Sequence, residues 1–415
     1  MFREGLVDLT LIVALVALVG IAIGRIPRLR MDRTGIALAA ATALVAAGAL
    51  TADEAFAAID LGTLALLLAM MIIVANLRMA GFFALAGSRI LAAARGPRSL
   101  LALIVGASGL LSAFFLNDTV CLIFTPLVIE VTRRSRRDPL PYLIAVAVAA
   151  NIGSSATIIG NPQNMLIGAQ SGLSFAFFSS RLAPPALAGL GLVLLYPREF
   201  ASSRDRALSG AQGGRAETRV EVDAPHVAKS LLAALLMVVL LLAGVQAPVA
   251  ALVAAALLLV TRRTDPDRVF GHVDFGLLVF FASLFVITRT IEVNPVFSRL
   301  VEGTLPGLSA EGRTPVGLLS FAVALLSNLV SNVPAVMLFR PLVPGFGDPA
   351  GVWLILAMAS TYAGNLTLMG SVANLIVAEG ARRGGIALGF WSYLRVGLPL
   401  SLATLALGAL WLAFT

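Results

Sequence analysis

Two stretches of this sequence pack amides, hydroxyls and helix-breaking residues into the middle of apolar runs. The first is Asn151-Ile-Gly-Ser-Ser-Ala-Thr-Ile-Ile-Gly-Asn-Pro-Gln-Asn164, and the second is Gly364-Asn-Leu-Thr-Leu-Met-Gly-Ser-Val-Ala-Asn374. Asn151, Asn161, Asn164, Asn365 and Asn374 offer carbonyl oxygens to a hard cation and amide N–H groups to an oxyanion. Ser154, Ser155, Thr157, Thr367 and Ser371 add hydroxyls. Gly153, Gly160 and Pro162 break a helix, and the freed backbone groups need partners that lipid cannot supply. Such a break survives inside protein or against a water-filled cavity, where transporters build substrate sites. Thr157, Gly160 and Asn164 recur as Thr367, Gly370 and Asn374, each 210 positions later. The two breaks therefore read as halves of one binding site.

A second pair of interruptions supports this. Phe115-Leu-Asn-Asp-Thr119 divides the apolar run 99–132, and Ser331-Asn-Val-Pro334 divides the run 314–343. Each reads as the tip of a re-entrant hairpin, bringing Asn117, Asp118 and Thr119, and Ser331 and Asn332, to the site. Asp118 is the one carboxylate placed deep in the apolar core. A charge there costs at least ~2.5–3.5 kcal/mol, so it implies a coupling proton or sodium ion, with helix N-capping as the alternative role. A sodium site is expected at Asn117, Asp118 and Asn164. Neither break nor tip holds Arg, Lys or His. Cys121 is the only cysteine and reads as packing. His226 and His272 lie in or beside charged loops, so neither a disulfide framework nor a cysteine or histidine metal centre is expected. No Gly-x-x-x-x-Gly-Lys motif is present to drive transport directly with ATP.

The elements that hold these residues must be membrane helices. Of 415 residues, 59% are hydrophobic and 13% charged, against roughly 25% charged in soluble domains. That composition predicts an all-α polytopic membrane protein. The net charge of +8 resides largely in Arg clusters of short loops, the signature of cytoplasmic loops and not of a nucleic-acid surface. It puts 25–33, 133–137, 197–226 and 262–268 in the cytoplasm and the acidic 51–54 outside. The run 6–24 lacks a basic leader and cleavage site and reads as a mature span. Residues 81–94 read as a short interfacial helix. The first broken helix is expected to run on to about Phe178, with the next at 184–195.

The halves repeat. Asp60 matches Asp274, 214 positions on, and Ser112, Asn117 and Pro126 match Ser327, Asn332 and Pro341, 215 positions on. The charge bias places Asp60 outside and Asp274 inside, so the two repeats are inverted, each with a re-entrant hairpin and a broken transmembrane helix. Residues 1–196 form the first repeat, 197–228 a cytoplasmic linker and 229–415 the second repeat.

With these motifs the chain resembles the ion transporter superfamily. Ser112-Ala-Phe-Phe-Leu-Asn117 and the two break motifs carry the resemblance, which spans nearly the whole chain. That group includes the arsenical pump membrane protein, D-type sodium/proton antiporters, divalent anion:sodium symporters and citrate-transporter-like permeases. The resemblance implies a secondary active permease of the cell inner membrane for a small anion or oxyacid, such as arsenite or a carboxylate. It implies sodium or proton as coupling ion, no other cofactor, no enzymatic activity, a homodimer, and a separate ATPase subunit only on the arsenite branch. The alternative is a monovalent cation/proton antiporter. Leu116 and Ser331 stand before the tip asparagines where antiporter relatives commonly carry an acid, and the Asn117-Asp118 pair is nearest the arsenite branch.

Overall fold

The computed structural model describes residues 2–24, 31–195, 222–260, 265–297, 299, 303 and 314–415. Among these every regular element is a helix. The first half runs α1 (Phe2–Ile23), α2 (Arg33–Ala46), α3 (Ala52–Ala58), α4 (Leu61–Met79), α5 (Phe82–Ala93), α6 (Pro97–Phe114), α7 (Asn117–Arg134), α8 (Pro139–Ser154), α9 (Pro162–Gln170) and α10 (Phe175–Leu195). The second runs α11 (Ala224–Leu242), α12 (Ala247–Leu259), α13 (Pro266–Phe270), α14 (Phe275–Glu292), α15 (Val316–Val330), α16 (Asn332–Phe339) with a 3-10 turn (Arg340–Gly345), α17 (Pro349–Ala363), α18 (Val372–Arg383) and α19 (Phe390–Phe414).

Six helices of the described residues, α4, α6, α10, α11, α14 and α19, are long and apolar enough to cross a bilayer. The broken helices stop short: α8 has 16 residues and α9 has 9. The protein is a multi-pass membrane protein, and α4, α6, α8 and α9 of the first half correspond to α14, α15, α17 and α18 of the second. Asp60 and Asp274 cap α4 and α14 in the same way, each Oδ1 accepting from a backbone N–H three residues on, at 2.6 and 3.0 Å. Such caps satisfy donors that a helix start would otherwise leave bare in a poorly solvated layer. The repeats also interlock: α4 packs on α12 of the other half, and α14 on α2.

Local differences from the sequence reading have local causes. The first broken helix ends at Gln170, not near Phe178, because Gly172 takes a left-handed φ of +69° and turns the chain. The next helix starts at Phe175 and carries Pro184 and Pro185 within it, instead of starting there. The acidic segment after Leu50 opens helix α3, through a capping box between Thr51 and Glu54. Within residues 81–94 the chain forms helix α5, capped by Gly81 and Ala94. Of the linker, 197–221 lies outside the described residues, and α11 begins at Ala224, where Asp223 caps His226 N–H at 3.1 Å. The loop residues 25–30 and 261–264 likewise lie outside them.

Candidate substrate site

Each break is held together by one asparagine. After α8 ends at Ser154, Asn164 Nδ2 donates to the carbonyls of Thr157 at 2.9 Å and Ser154 at 3.2 Å. After α17 ends at Ala363, Asn374 Nδ2 donates to Thr367 at 3.1 Å and Gly364 at 2.7 Å. The two clamps are equivalent at an offset of 210 positions. Each satisfies carbonyls that the helix C-terminus releases. The second arm of each break is capped from inside it: Asn161 Oδ1 accepts from Asn164 N at 2.9 Å, and Ser371 Oγ from Ala373 N at 3.2 Å. Gly160 is required by closeness, since a Cβ there would lie 2.2 Å from the Ser154 carbonyl oxygen; at Gly370 the nearest atoms would be 3.0 Å away.

Hairpin tips lie against the breaks. Asn117 N donates to Gly160 O at 3.1 Å, and Thr157 Oγ1 donates to the Ala113 carbonyl. In the other repeat Thr367 Oγ1 donates to Asn328 Oδ1 at 3.4 Å, and residue 328 is the counterpart of 113. Asn332 lies beside Gly364, where an added Cβ would meet its Nδ2 at 3.2 Å. Ser331, at that tip, has φ +81° and ψ 159°, a backbone region nearly reserved for glycine and costing about 1–3 kcal/mol.

The two halves then meet through side chains. Asn151 Oδ1 accepts from Asn117 Nδ2 at 3.0 Å and from Ser371 Oγ at 3.2 Å. Its Nδ2 donates to Asn365 Oδ1 at 2.9 Å and Asn374 Oδ1 at 3.1 Å. The counterpart of Asn151 is Thr361, whose Oγ1 accepts from Asn161 Nδ2 at 3.2 Å and Gln163 Nε2 at 3.1 Å. Ser155 Oγ lies 3.2 Å from Tyr362 Oη, and Tyr393 stands beside Asn374. Every residue from Tyr142 to Ile167 is buried. Three asparagine oxygens in this region, Asn117 Oδ1, Asn164 Oδ1 and Asn332 Oδ1, are buried with no donor from the described residues.

Asp118 and Thr119 are not part of this cluster. They line a cavity of about 210 Å³ with Leu116, Arg78, His272 and Asp274, which ends on the other side at Val372 and Ile376 of α18. Arg33 and Asp274 are near enough to act electrostatically on Asp118. The carboxylate that looks solitary in sequence thus shares its surroundings with a second carboxylate and with cations. Arg78 also lines this cavity, and the positive-inside rule assigns arginine-bearing ends of membrane helices to the cytoplasm.

Sequence reasoning missed Thr361, Gln163, Asn328, Tyr362 and Tyr393. Thr361 was reachable, because the 210-position repeat maps Asn151 onto it. Gln163 sits inside the first motif. Asn328 maps onto Ala113 and leaves no repeat signal, and the tyrosines lie outside both motifs.

Comparison with known proteins settles the family. A family model described as Citrate transporter matches residues 17–363. The chain belongs to the citrate transporter family. This family member is 33% identical to the silicon efflux transporter LSI3 of Oryza sativa subsp. japonica, over 92% of this chain and 93% of the relative. It is 31% identical to the inner membrane protein YbiR of Escherichia coli, over 83% and 86%. In structure it resembles the Alcanivorax borkumensis YdaH transporter, with TM-score 0.60 and 16% identity, over 88% of this chain and 89% of that one. The ion transporter resemblance read from the motifs holds, as does the all-α architecture of inverted repeats. This citrate transporter family member is a membrane transporter.

Proposed function

We propose that this chain is a secondary active exporter of a small, uncharged, hydroxyl-rich oxyacid, of the silicic or arsenous acid type, driven by a proton gradient. The observation that carries this reading is the chemistry of the paired breaks. Their cluster is amides and hydroxyls, and three of its buried asparagine oxygens lack a donor among the described residues. An ionised carboxylate has no proton to give them. It would also bring several negative charges to a buried place built of amides and hydroxyls. A neutral oxyacid presents O–H donors to those oxygens and O acceptors to the amide N–H groups. The silicon efflux relative supports the same class.

Asp118 is proposed to carry the coupling proton, since it is a carboxylate on the cavity wall that it shares with Arg78 and Asp274. The resemblance further implies a homodimer, and we propose that assembly here, with a separate ATPase subunit only if arsenite is the cargo. A second reading rests on the same bare oxygens. Carbonyl oxygens also suit sodium, so a monovalent cation/proton antiporter, or a sodium-coupled exporter with sodium at Asn117 and Asn164 and Asp118 outside that site, would use them as ligands.

The test is counterflow in proteoliposomes of the purified protein, preloaded in turn with silicic acid, arsenous acid or citrate, with and without sodium. Exchange of an oxyacid, independent of sodium and not inhibited by citrate, supports the proposal. Citrate exchange alone, or proton release on adding sodium without any oxyacid flux, overturns it.

A further inference from the structure

The inverted repeat predicts that the cytoplasmic cavity has a mirror image at the other end of the molecule. Its lining residues Met71, Val74, Leu122, Asp118, Leu277 and Ile376 map onto Phe285, Thr288, Met337, Val333, Thr63 and Leu166. Phe285, Thr288, Met337, Thr63 and Leu166 are at most 1% exposed and Val333 is 8% exposed. These six counterparts are all buried.

Polar groups hold that end together. Arg340, at the end of the second hairpin, forms an ion pair with Glu292 at the C-terminus of α14. Its other nitrogen donates to Gln170 Oε1 at 3.4 Å. Gln170, the last residue of α9, donates through Nε2 to Asp60 Oδ2 at 3.0 Å, at the start of α4. Glu292 also takes Arg289 at 3.2 Å, and its side chain is only 7% exposed. One chain of contacts therefore ties the ends of the hairpin and broken helix, which carry the site, to α4 and α14, which interlock with the opposite repeat. At the cytoplasmic end the same positions are different. Glu292 maps onto Arg78 and Asp60 onto Asp274, both on the cavity wall, while Arg340 maps onto Thr125 and Gln170 onto Gly380. Thr125 Oγ1 is turned back to the Cys121 carbonyl, so a neutral hydroxyl holds the position equivalent to Arg340.

We propose that Arg340, Glu292, Gln170 and Asp60 are the external gate of the transport path, latched in this cytoplasm-open state. Alternating access around a central site requires one end to close while the other opens. The latch supplies the closure with groups that water re-solvates when they part, so its opening does not strand a buried charge. Hydrophobic packing by Phe285, Met337 and Leu166 completes the seal. The gate concerns the path and not its cargo, so it stands whichever substrate the site carries.

Cysteine accessibility tests this without any substrate. Met337→Cys in a Cys121→Ser background reports on the sealed space, with Thr63→Cys as a second reporter. With the latch intact, a membrane-impermeant maleimide added outside should label either cysteine slowly. Arg340→Gln or Glu292→Gln should speed labelling by at least fivefold, and the charge swap Arg340→Glu with Glu292→Arg should slow it again. Parental labelling rates in both single variants, in protein that melts like the parent, overturn the gate. Failure of the swap to slow labelling overturns the ion pair as its latch.

Discussion

Asn151 and Asn365 stand 214 positions apart in the chain, on opposite repeats, and their side chains meet at 2.9 Å. Asn151 stands one turn before the first break and Asn365 just inside the second. The hydrogen bond thus crosses the junction of the two repeats at the level where both helices are interrupted. Asn365 Nδ2 continues to the Val148 carbonyl of the first repeat at 3.3 Å, so the junction is bonded in both directions.

Asn151→Ala should therefore destabilise the protein as well as stop transport. It strands the Asn117 amide and the Asn365 and Asn374 oxygens in a site that is fully buried. Leaving even one such group unmet costs about 1–3 kcal/mol. Thermal unfolding in detergent should fall by several degrees, and proteoliposome flux by at least tenfold. An unchanged melting temperature would mean that the repeats are joined elsewhere.

Glycine at 153 is demanded by helix packing. A Cβ there would sit 2.1 Å from the Gly109 carbonyl oxygen of α6, a backbone atom that cannot swing aside, whereas one at Gly106 meets nothing within 4 Å. Gly153→Ala should push α6 from α8, costing about 1–3 kcal/mol or more, and should misplace the hairpin tip. Gly106→Ala should be neutral or slightly stabilising. Comparison of the two melting curves decides it.

Asp118→Asn removes the titratable group while keeping the size and polarity of the side chain. Counterflow should survive, because exchange of like for like needs no coupling proton. Accumulation against an imposed proton gradient should fall at least tenfold. Wild-type accumulation by the variant would move coupling to another group, with Asp274 the next candidate on the same cavity wall.

Much of this site is legible in the amino-acid sequence. Asn151, Asn164, Asn365 and Asn374 announce themselves because polar residues and helix breakers recur together, at one offset, in apolar runs. The breaks, the hairpin tips and the inversion follow from that repeat and from the Arg-rich loops. Asp118 shows where reading a sequence stops. Consecutive helix residues point about 100° apart, so Asn117 can face Asn151 while Asp118 faces the cavity. The neighbours Arg33 and Asp274 come from α2 and from the turn before α14, remote in the chain, and only packing brings them near. The latch is harder still to foresee. Arg340 follows the second hairpin tip but belongs to neither break motif. Its partner Glu292 carries no motif either, and only the fold joins them.

The central claim is that the paired breaks bind an uncharged oxyacid through asparagine amides. The direct measurement is calorimetric titration of purified protein with silicic acid and, separately, with citrate, for the wild type and for Asn117→Ala. Asn117 has a buried oxygen without a donor among the described residues and a bond to Asn151 at 3.0 Å. The account predicts saturable silicic acid binding by the wild type, weakened at least tenfold in Asn117→Ala, and no citrate binding by either. Citrate binding without any response to silicic acid, or full silicic acid affinity in Asn117→Ala, would contradict it.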